Sequence, residues 1–333
     1  MKEISVMSQG FEVQIGTWNT WERGMYPKRA GEKERYDGQV EVMRTEFPCH
    51  VWAVQEIGNL KAFRMLADDL EMNCMVRWPG WWRRSRPAFD PGGHGFGVGV
   101  LWDPAIEAIP NGIVAMRGAM RTYTRDVFFH GVASTVLDIG GHPIHIASGH
   151  ATPWGAPQIL GEAKRWGSIM TRPHRGLPGN LGKRVIAGML NTDSNGITGD
   201  KIRGADGTWH YHMADPFQGR AWIPDMIYQV PQPYVVDHAT GKPVPICDRA
   251  QGDILWAGGL RDTSAVLDLP FEPTTGYHPV DPFMPRDIDH QRVNTEMLEL
   301  ATVVSVEVLK SARAERLTDH RAKRTTLRLP SAA

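Results

Sequence analysis

Short apolar runs separated by turn residues constrain this chain more than any other feature. VQIGTW (13–18), HVWAVQEI (50–57), GFGVGVLW (95–102), STVLDI (134–139), PIHIASGH (143–150) and RVIAGML (184–190) follow one another along the sequence. None exceeds eight residues, and Val, Ile and Trp are frequent in them. That length and composition predict buried β-strands rather than helices. Between them the apolar spacing changes to three or four. Tyr36, Val40, Met43 and Phe47 predict a helix over 33–47 that stops at Pro48. Leu60, Phe63, Leu66 and Leu70 predict a second over 59–72 with Asn59 as its cap, and Ile159, Ala163, Trp166 and Met170 a third over 156–170.

Residues 197–285 are rich in Gly, Pro, Asp and Trp and carry little periodicity, which predicts long loops with short strands. A strand pair is expected at IDHQRV (288–293) and VVSVEVL (303–309), with a turn of helix between, and a last strand after Asp319-His320. The basic tail RAKRTTLR reads as a solvated edge strand, since Lys and Arg commonly protect edges. With no internal repeat and no linker, residues 1–333 are expected to form one layered α/β domain with a loop-rich insertion at about 197–285.

Composition narrows the partners. Lys plus Arg equals Asp plus Glu at 37 each, so global charge gives no support for polyanion binding, although a local basic patch is compatible with it. The three cysteines, Cys49, Cys74 and Cys247, lack metal-site or disulfide spacing, which fits a reducing compartment. The N-terminus has no uninterrupted apolar signal region, and no run approaches the ~18 apolar residues that span a bilayer. The expected location is the cytoplasm, with no membrane association.

Polar residues cluster where the predicted strands end: Asn19, Glu56, His150, Asn191 and Asp193, joined late in the chain by Asp289, Asp319 and His320. Carboxylate and amide oxygens suit a hard cation such as Mg²⁺ or Mn²⁺, and a His buttressed by an Asp suits proton transfer or oxyanion stabilisation. Each residue alone reads as loop decoration; their order and framing carry the signal.

TWNTW (17–21), QEI (55–57), GVGVLWD (97–103), ASGHAT (147–152), AGMLNTDSN (187–195), IDHQRV (288–293) and TDH (318–320) resemble, in order, the motifs of the endonuclease/exonuclease/phosphatase superfamily, which includes pancreatic deoxyribonuclease and exonuclease III. The resemblance spans residues 13–328 and leaves 197–285 unmatched. It implies a four-layer sandwich of two packed mixed β-sheets flanked by helices. It also implies metal-assisted attack of water on a phosphoester of a nucleic acid or a small phosphorylated substrate. Carried over, Glu56, Asn19 and Asp319 would serve an Mg²⁺ or Mn²⁺ ion. His150, Asn191, Asp289 and His320 would be catalytic: His150 on the scissile phosphate, Asn191 positioning phosphate or water, and His320, oriented by Asp289, stabilising the transition state.

One position departs from the pattern. The family's Gly-Asp-x-Asn stands here as Gly188-Met189-Leu190-Asn191, and a thioether can neither accept the water's proton nor hold Mg²⁺. Three explanations fit: a member that binds without cutting, a takeover by Asp193 through a different loop path, or a substitution that traps substrate. A metal-dependent nuclease-like hydrolase is the leading expectation. The alternative is a non-hydrolytic member that binds nucleic acid or a metabolite, or a site repurposed for other chemistry. In RWPGWWRRSRP (77–87), Trp82, Arg83 and Arg84 read equally well as a substrate-contacting rim and as a surface loop whose Arg stems cover Trp rings.

Overall fold

The structure is a computed structural model that describes residues 10–21, 30–76, 85–92, 95–109, 128–153, 156–171, 186–193, 199–231, 234–279 and 284–332. In chain order the strands of its first half are β1 (Phe11–Asn19), β2 (Val51–Ile57), β3 (Met75–Val76), β4 (Arg86–Pro87), β5 (Phe89–Asp90), β6 (Gly97–Trp102), β7 (Glu107–Ala108), β8 (Val132–Ile139) and β9 (His142–His150). Those of its second half are β10 (Gly188–Asp193), β11 (Lys201–Arg203), β12 (Trp209–Tyr211), β13 (Arg261–Asp262), β14 (Asp289–Val293), β15 (Thr302–Val308) and β16 (Lys323–Leu329).

Two six-stranded mixed sheets result, ordered β15-β16-β1-β2-β6-β5 and β13-β14-β10-β9-β8-β7. They pack face to face through Val13, Ile15, Val51, Val100, Ile144, Ile146, Met189, Val293 and Leu327. The helices Ala30–Glu41 and Leu60–Asp69 cover the first sheet, placing Tyr36, Val40, Phe63 and Leu66 on Trp18, Trp52 and Leu101. The helix Ala156–Thr171 covers the second, setting Ile159, Ala163, Trp166 and Met170 against Val132, Ala147 and Leu190. The four-layer sandwich is thus formed, its central strands such as β2, β6 and β10 burying one face in the other sheet and one under helices.

Local chemistry explains the boundaries. Asn59 Oδ1 accepts from the backbone N–H groups of Lys61 and Ala62 at 2.9 and 3.0 Å, starting the second helix where the sequence predicts. The first helix is shorter than expected, ending at Glu41, and the chain continues as a π-helical turn over Val42–Glu46 before Pro48.

Three expectations are corrected. IDHQRV and VVSVEVL do not pair: β14 lies in the second sheet and β15 in the first. Asn294 accepts from Met297 N at 2.9 Å and caps the helix Thr295–Leu300, which carries the chain from one sheet to the other. The basic tail is not an edge, because β16 pairs with both β1 and β15. Lys323 is buried there on Asp287 at 2.9 Å. Of the strand expected at 184–190, residues 184–185 lie outside the described residues; the strand that is described runs from Gly188 to Asp193, since β9 and β14 flank it and pair its backbone as far as Asp193. Partner ladders override the weak strand propensity of Asn-Thr-Asp.

Within 197–285, Lys201–Arg203 and Trp209–Tyr211 form a hairpin, Ala250–Ala257 is a helix, and Met213, Phe217, Met226, Val230 and Cys247 make a small core of their own. No helix among the described residues is long and apolar enough to cross a membrane.

Candidate active site

Strand alternation builds the space between the sheets in three levels. Lowest is the apolar level of Ile15, Ile146, Met189 and Val293. Two residues along each strand comes a fully buried polar level. There Gln55 Nε2 donates to Thr17 Oγ1 and Ser148 Oγ, each at 3.1 Å. Gln291 Nε2 donates to Asn191 Oδ1 at 2.8 Å and to Ile15 O at 2.9 Å. A further two residues along, at the strand ends, stand Asn19, His150, Asp193 and Asp289. Every polar atom named in the middle level has its partner inside the protein, so this level holds the strand ends in a fixed arrangement.

Glu56 joins them through a break in alternation. The β2–β6 register shifts between Val54 and Ile57, and Glu56 adopts φ +62°. A bulge with a left-handed non-glycine residue costs on the order of 1–3 kcal/mol, and it directs this carboxylate to the same side as Gln55. Asn19 Nδ2 donates to Glu56 Oε1 at 2.9 Å and to Asp193 Oδ2 at 2.5 Å. Its Oδ1 accepts from Trp21 N at 2.9 Å, which fixes the amide's orientation.

Two clusters share Asp193. The ligand atoms of Glu56, His150 and Asp193 lie within 4.8 Å of one another, and so do those of Asp193, Asp289 and His320. His150 Nε2 is 3.3 Å from Asp193 Oδ2 and 3.9 Å from Glu56 Oε1. His320 Nδ1 lies 2.9 and 3.1 Å from the two oxygens of Asp289. Thr318 ties the loop bearing His320 to β1: its hydroxyl donates to Asn19 O at 3.0 Å and accepts from His320 N at 3.2 Å. Trp18 Nε1 donates to His320 O at 2.9 Å.

The two imidazoles are opposite in charge preference. Burial pushes His150 down to about 3, helped by the positive charge of His320. Burial also works against His320, but Asp289, then Asp193 and Asp319, hold it well above the usual histidine value. Their surroundings thus pull the two imidazoles opposite ways, His150 toward the neutral form and His320 toward the imidazolium.

Asn19, Glu56, His150, Asp289 and His320 thus converge as the sequence order suggested, and Asp193 joins them. Asn191 does not reach this level; it sits one step below, bonded to Gln291 and to Ala147 O at 3.1 Å. Asp319 is partly exposed beside His320 and belongs to neither cluster. Met189 is fully buried in the intersheet core, so it is not a cleft residue with an unusual side chain. Asp193 needs no different loop path, because β10 itself continues to it. Trp82, Arg83 and Arg84 lie outside the described residues.

Sequence reading missed Gln55, Gln291 and Thr318, whose signal was their place inside strand-end motifs already singled out. It also missed His130, whose ring centroid is 4.0 Å from that of His150 and whose Nδ1 is 3.1 Å from Ala151 O. Only its position at the end of the aromatic pair Phe128-Phe129 marked it.

Asn19 turns Nδ2 to the cluster and keeps Oδ1 on Trp21 N, so the oxygen donors here are the carboxylates of Glu56 and Asp193, which fit a hard divalent cation. Fold and site define a two-sheet sandwich whose strand ends gather carboxylates, an amide and two imidazoles. No protein-family model and no curated protein sequence matches the chain. Solved structures do match. An endonuclease/exonuclease/phosphatase family protein from Leptotrichia buccalis aligns over 95% of this chain and 100% of its own, at TM-score 0.52 and 13% identity. AP endonuclease LMAP from Leishmania major aligns over 96% and 88%, at TM-score 0.54 and 12% identity. The mannosyl-6-phosphatase Bt3783 of Bacteroides thetaiotaomicron aligns over 95% and 99%, at TM-score 0.52 and 11% identity. The resemblance to the endonuclease/exonuclease/phosphatase family therefore holds across the fold of nearly the whole chain.

Proposed function

We propose that the chain is a divalent-metal-dependent phosphoester hydrolase that cleaves phosphodiester bonds in the manner of a nuclease. The observation that carries this reading is Asp193, shared between the Glu56–His150 cluster and the Asp289–His320 pair. Glu56 and Asp319 would hold Mg²⁺ or Mn²⁺, and Asn19, whose Nδ2 donates to Glu56 and Asp193, would set the orientation of those carboxylates. A bound cation supplies charge neutralisation and polarisation of a phosphoryl oxygen.

The remaining roles belong to the side chains. The Asp193 carboxylate accepts the proton of the attacking water, the task the family gives to the Asp two residues before its Asn. His150, neutral, contacts a phosphate oxygen. His320 keeps Nδ1 on Asp289 and presents Nε2–H to the negative charge that grows on the phosphorus-bound oxygens. Asn191 supports the site through Gln291 rather than touching substrate. Two kinds of substrate are represented among the neighbours, an AP endonuclease and a sugar phosphatase. A non-hydrolytic member that binds nucleic acid or a metabolite is the alternative reading, and retained binding without cleavage in the assay below would favour it.

Hydrolysis of single- and double-stranded DNA, RNA and bis(p-nitrophenyl) phosphate in Mg²⁺ or Mn²⁺ tests the reading. His320→Ala is expected to lower the rate by at least about a hundredfold, as loss of a positioned acid or oxyanion donor does. Absence of cleavage of all four substrates by the parent protein would overturn it.

A further inference from the structure

The hairpin β11–β12 carries a second site, on the outer side of the second sheet. Its base is fixed to β14: Arg292 pairs with Asp200, immediately before β11, on the strand face opposite Asp289 and Gln291. In the hairpin Lys201 pairs with Tyr211 and Arg203 with Trp209, so all four side chains share one face. Against that face the helix Ala250–Ala257 sets Trp256, and cations and rings then alternate. Arg261 lies 4.5 Å from the Trp256 ring, Lys201 lies 5.1 Å from Trp256 and 4.8 Å from Tyr211, and Arg249 lies 4.3 Å from Tyr211. Trp209 meets Trp256 edge-on at 5.6 Å.

Part of this ladder is structural, pinning the hairpin to the helix by cation–π contacts and by the bond from Tyr211 Oη to Asp253 at 3.0 Å. Its outer part is not consumed by packing. Trp209 is 58% exposed and Tyr211 is 39% exposed. Lys201 is held by Asp253 at 2.6 Å and Arg261 lies in the field of Asp200. Arg203 is exposed beside Trp209, with its Nε donating to Gly207 O at 3.1 Å.

We propose that this face binds single-stranded nucleic acid, with bases stacking on Trp209 and Tyr211 and phosphates following the interleaved cations. Aromatic rings two residues apart on a strand stand about 6.6 Å from each other, the span of two stacked bases at about 3.4 Å each. Rings among cations on a small sheet are the general means of holding an unpaired strand without reading its sequence. An acidic peptide would use the charges but leave both exposed rings without a planar partner. The site goes beyond the cleft reading, since binding here requires no turnover.

The test is fluorescence anisotropy of a labelled oligothymidylate with the full chain in EDTA, over a range of salt. The parent protein binds, and affinity falls as salt rises. Trp209→Ala weakens binding about tenfold, Trp209→Phe retains it, and Arg203→Gln lowers the salt slope by about 0.7, the value for one lost single-strand phosphate contact. The ring is exposed, so unchanged circular dichroism is expected for each variant. Parental binding by both Trp209→Ala and Arg203→Gln overturns the proposal, as does equal competition by polyaspartate. Hydrolysis of bis(p-nitrophenyl) phosphate by the parent separates the two sites. A protein that hydrolyses but binds no oligonucleotide refutes this face and spares the cleft. One that binds but hydrolyses nothing does the reverse.

Discussion

Met189→Asp restores, on paper, the carboxylate that the family places after its strand glycine, and the structure predicts that it damages the protein instead. Met189 is fully buried among Ile146, Val293 and their neighbours in the intersheet core. Losing a buried thioether chain of that size costs about 2 kcal/mol. An aspartate among those apolar side chains must stay protonated at pH 7. Holding a group of ordinary pKa near 3.9 neutral at that pH costs about 4 kcal/mol. Together, about 6 kcal/mol is removed from a fold whose whole stability is of the order of 5–15 kcal/mol. Urea unfolding followed by tryptophan fluorescence reads the loss directly, and Met189→Leu, which keeps volume and polarity, should cost under about 1.5 kcal/mol. A Met189→Asp protein with the parental midpoint and a hydrolysis rate raised by orders of magnitude would refute the placement of this residue in the core.

Other consequences are as specific. Asp200→Ala strips the buried Arg292 guanidinium of its carboxylate and should cost about 3–5 kcal/mol in the same assay. Asn59→Ala removes the cap of the helix Leu60–Asp69 and should cost about 1 kcal/mol. Glu162 has a pH signature. Burial pushes it up to about 7, although Phe129 N and Thr152 N each donate to it at 2.8 Å. Because the folded value lies above the unfolded one, its contribution to stability is fully present below about pH 4 and is lost as pH rises through 7, by about 3 kcal/mol. Unfolding midpoints measured from pH 4 to 8 should show that decline, and Glu162→Gln should flatten it.

The central strands were legible because they bury one face between the sheets and one under helices, which leaves near-continuous apolar runs such as HVWAVQEI. Asn59 was legible because capping is local. Asn19, Glu56, His150, Asp289 and His320 were legible as strand-end polar groups in a familiar order. The frame of β10 was not. Gly188 invites alignment with the family's glycine, but how far a strand continues is decided by its neighbours, here β9 and β14, and they carry the ladder to Asp193. The separation of β14 from β15 was hidden for the same reason, since a short helix between two strands looks alike whether it joins neighbours or bridges sheets. The hairpin of 201–211 was unreadable because three-residue strands have no period to detect.

The most direct measurement is the rate of phosphodiester hydrolysis by Asp193→Asn beside Met189→Leu, in Mg²⁺ and in Mn²⁺, with the unfolding midpoint of each. With Asp193 as the carboxylate at the centre of the site, Asp193→Asn loses about a hundred- to ten-thousand-fold in rate while staying folded, and Met189→Leu keeps most of the parental activity. Full activity in a folded Asp193→Asn protein would contradict the assignment of this residue to the reaction.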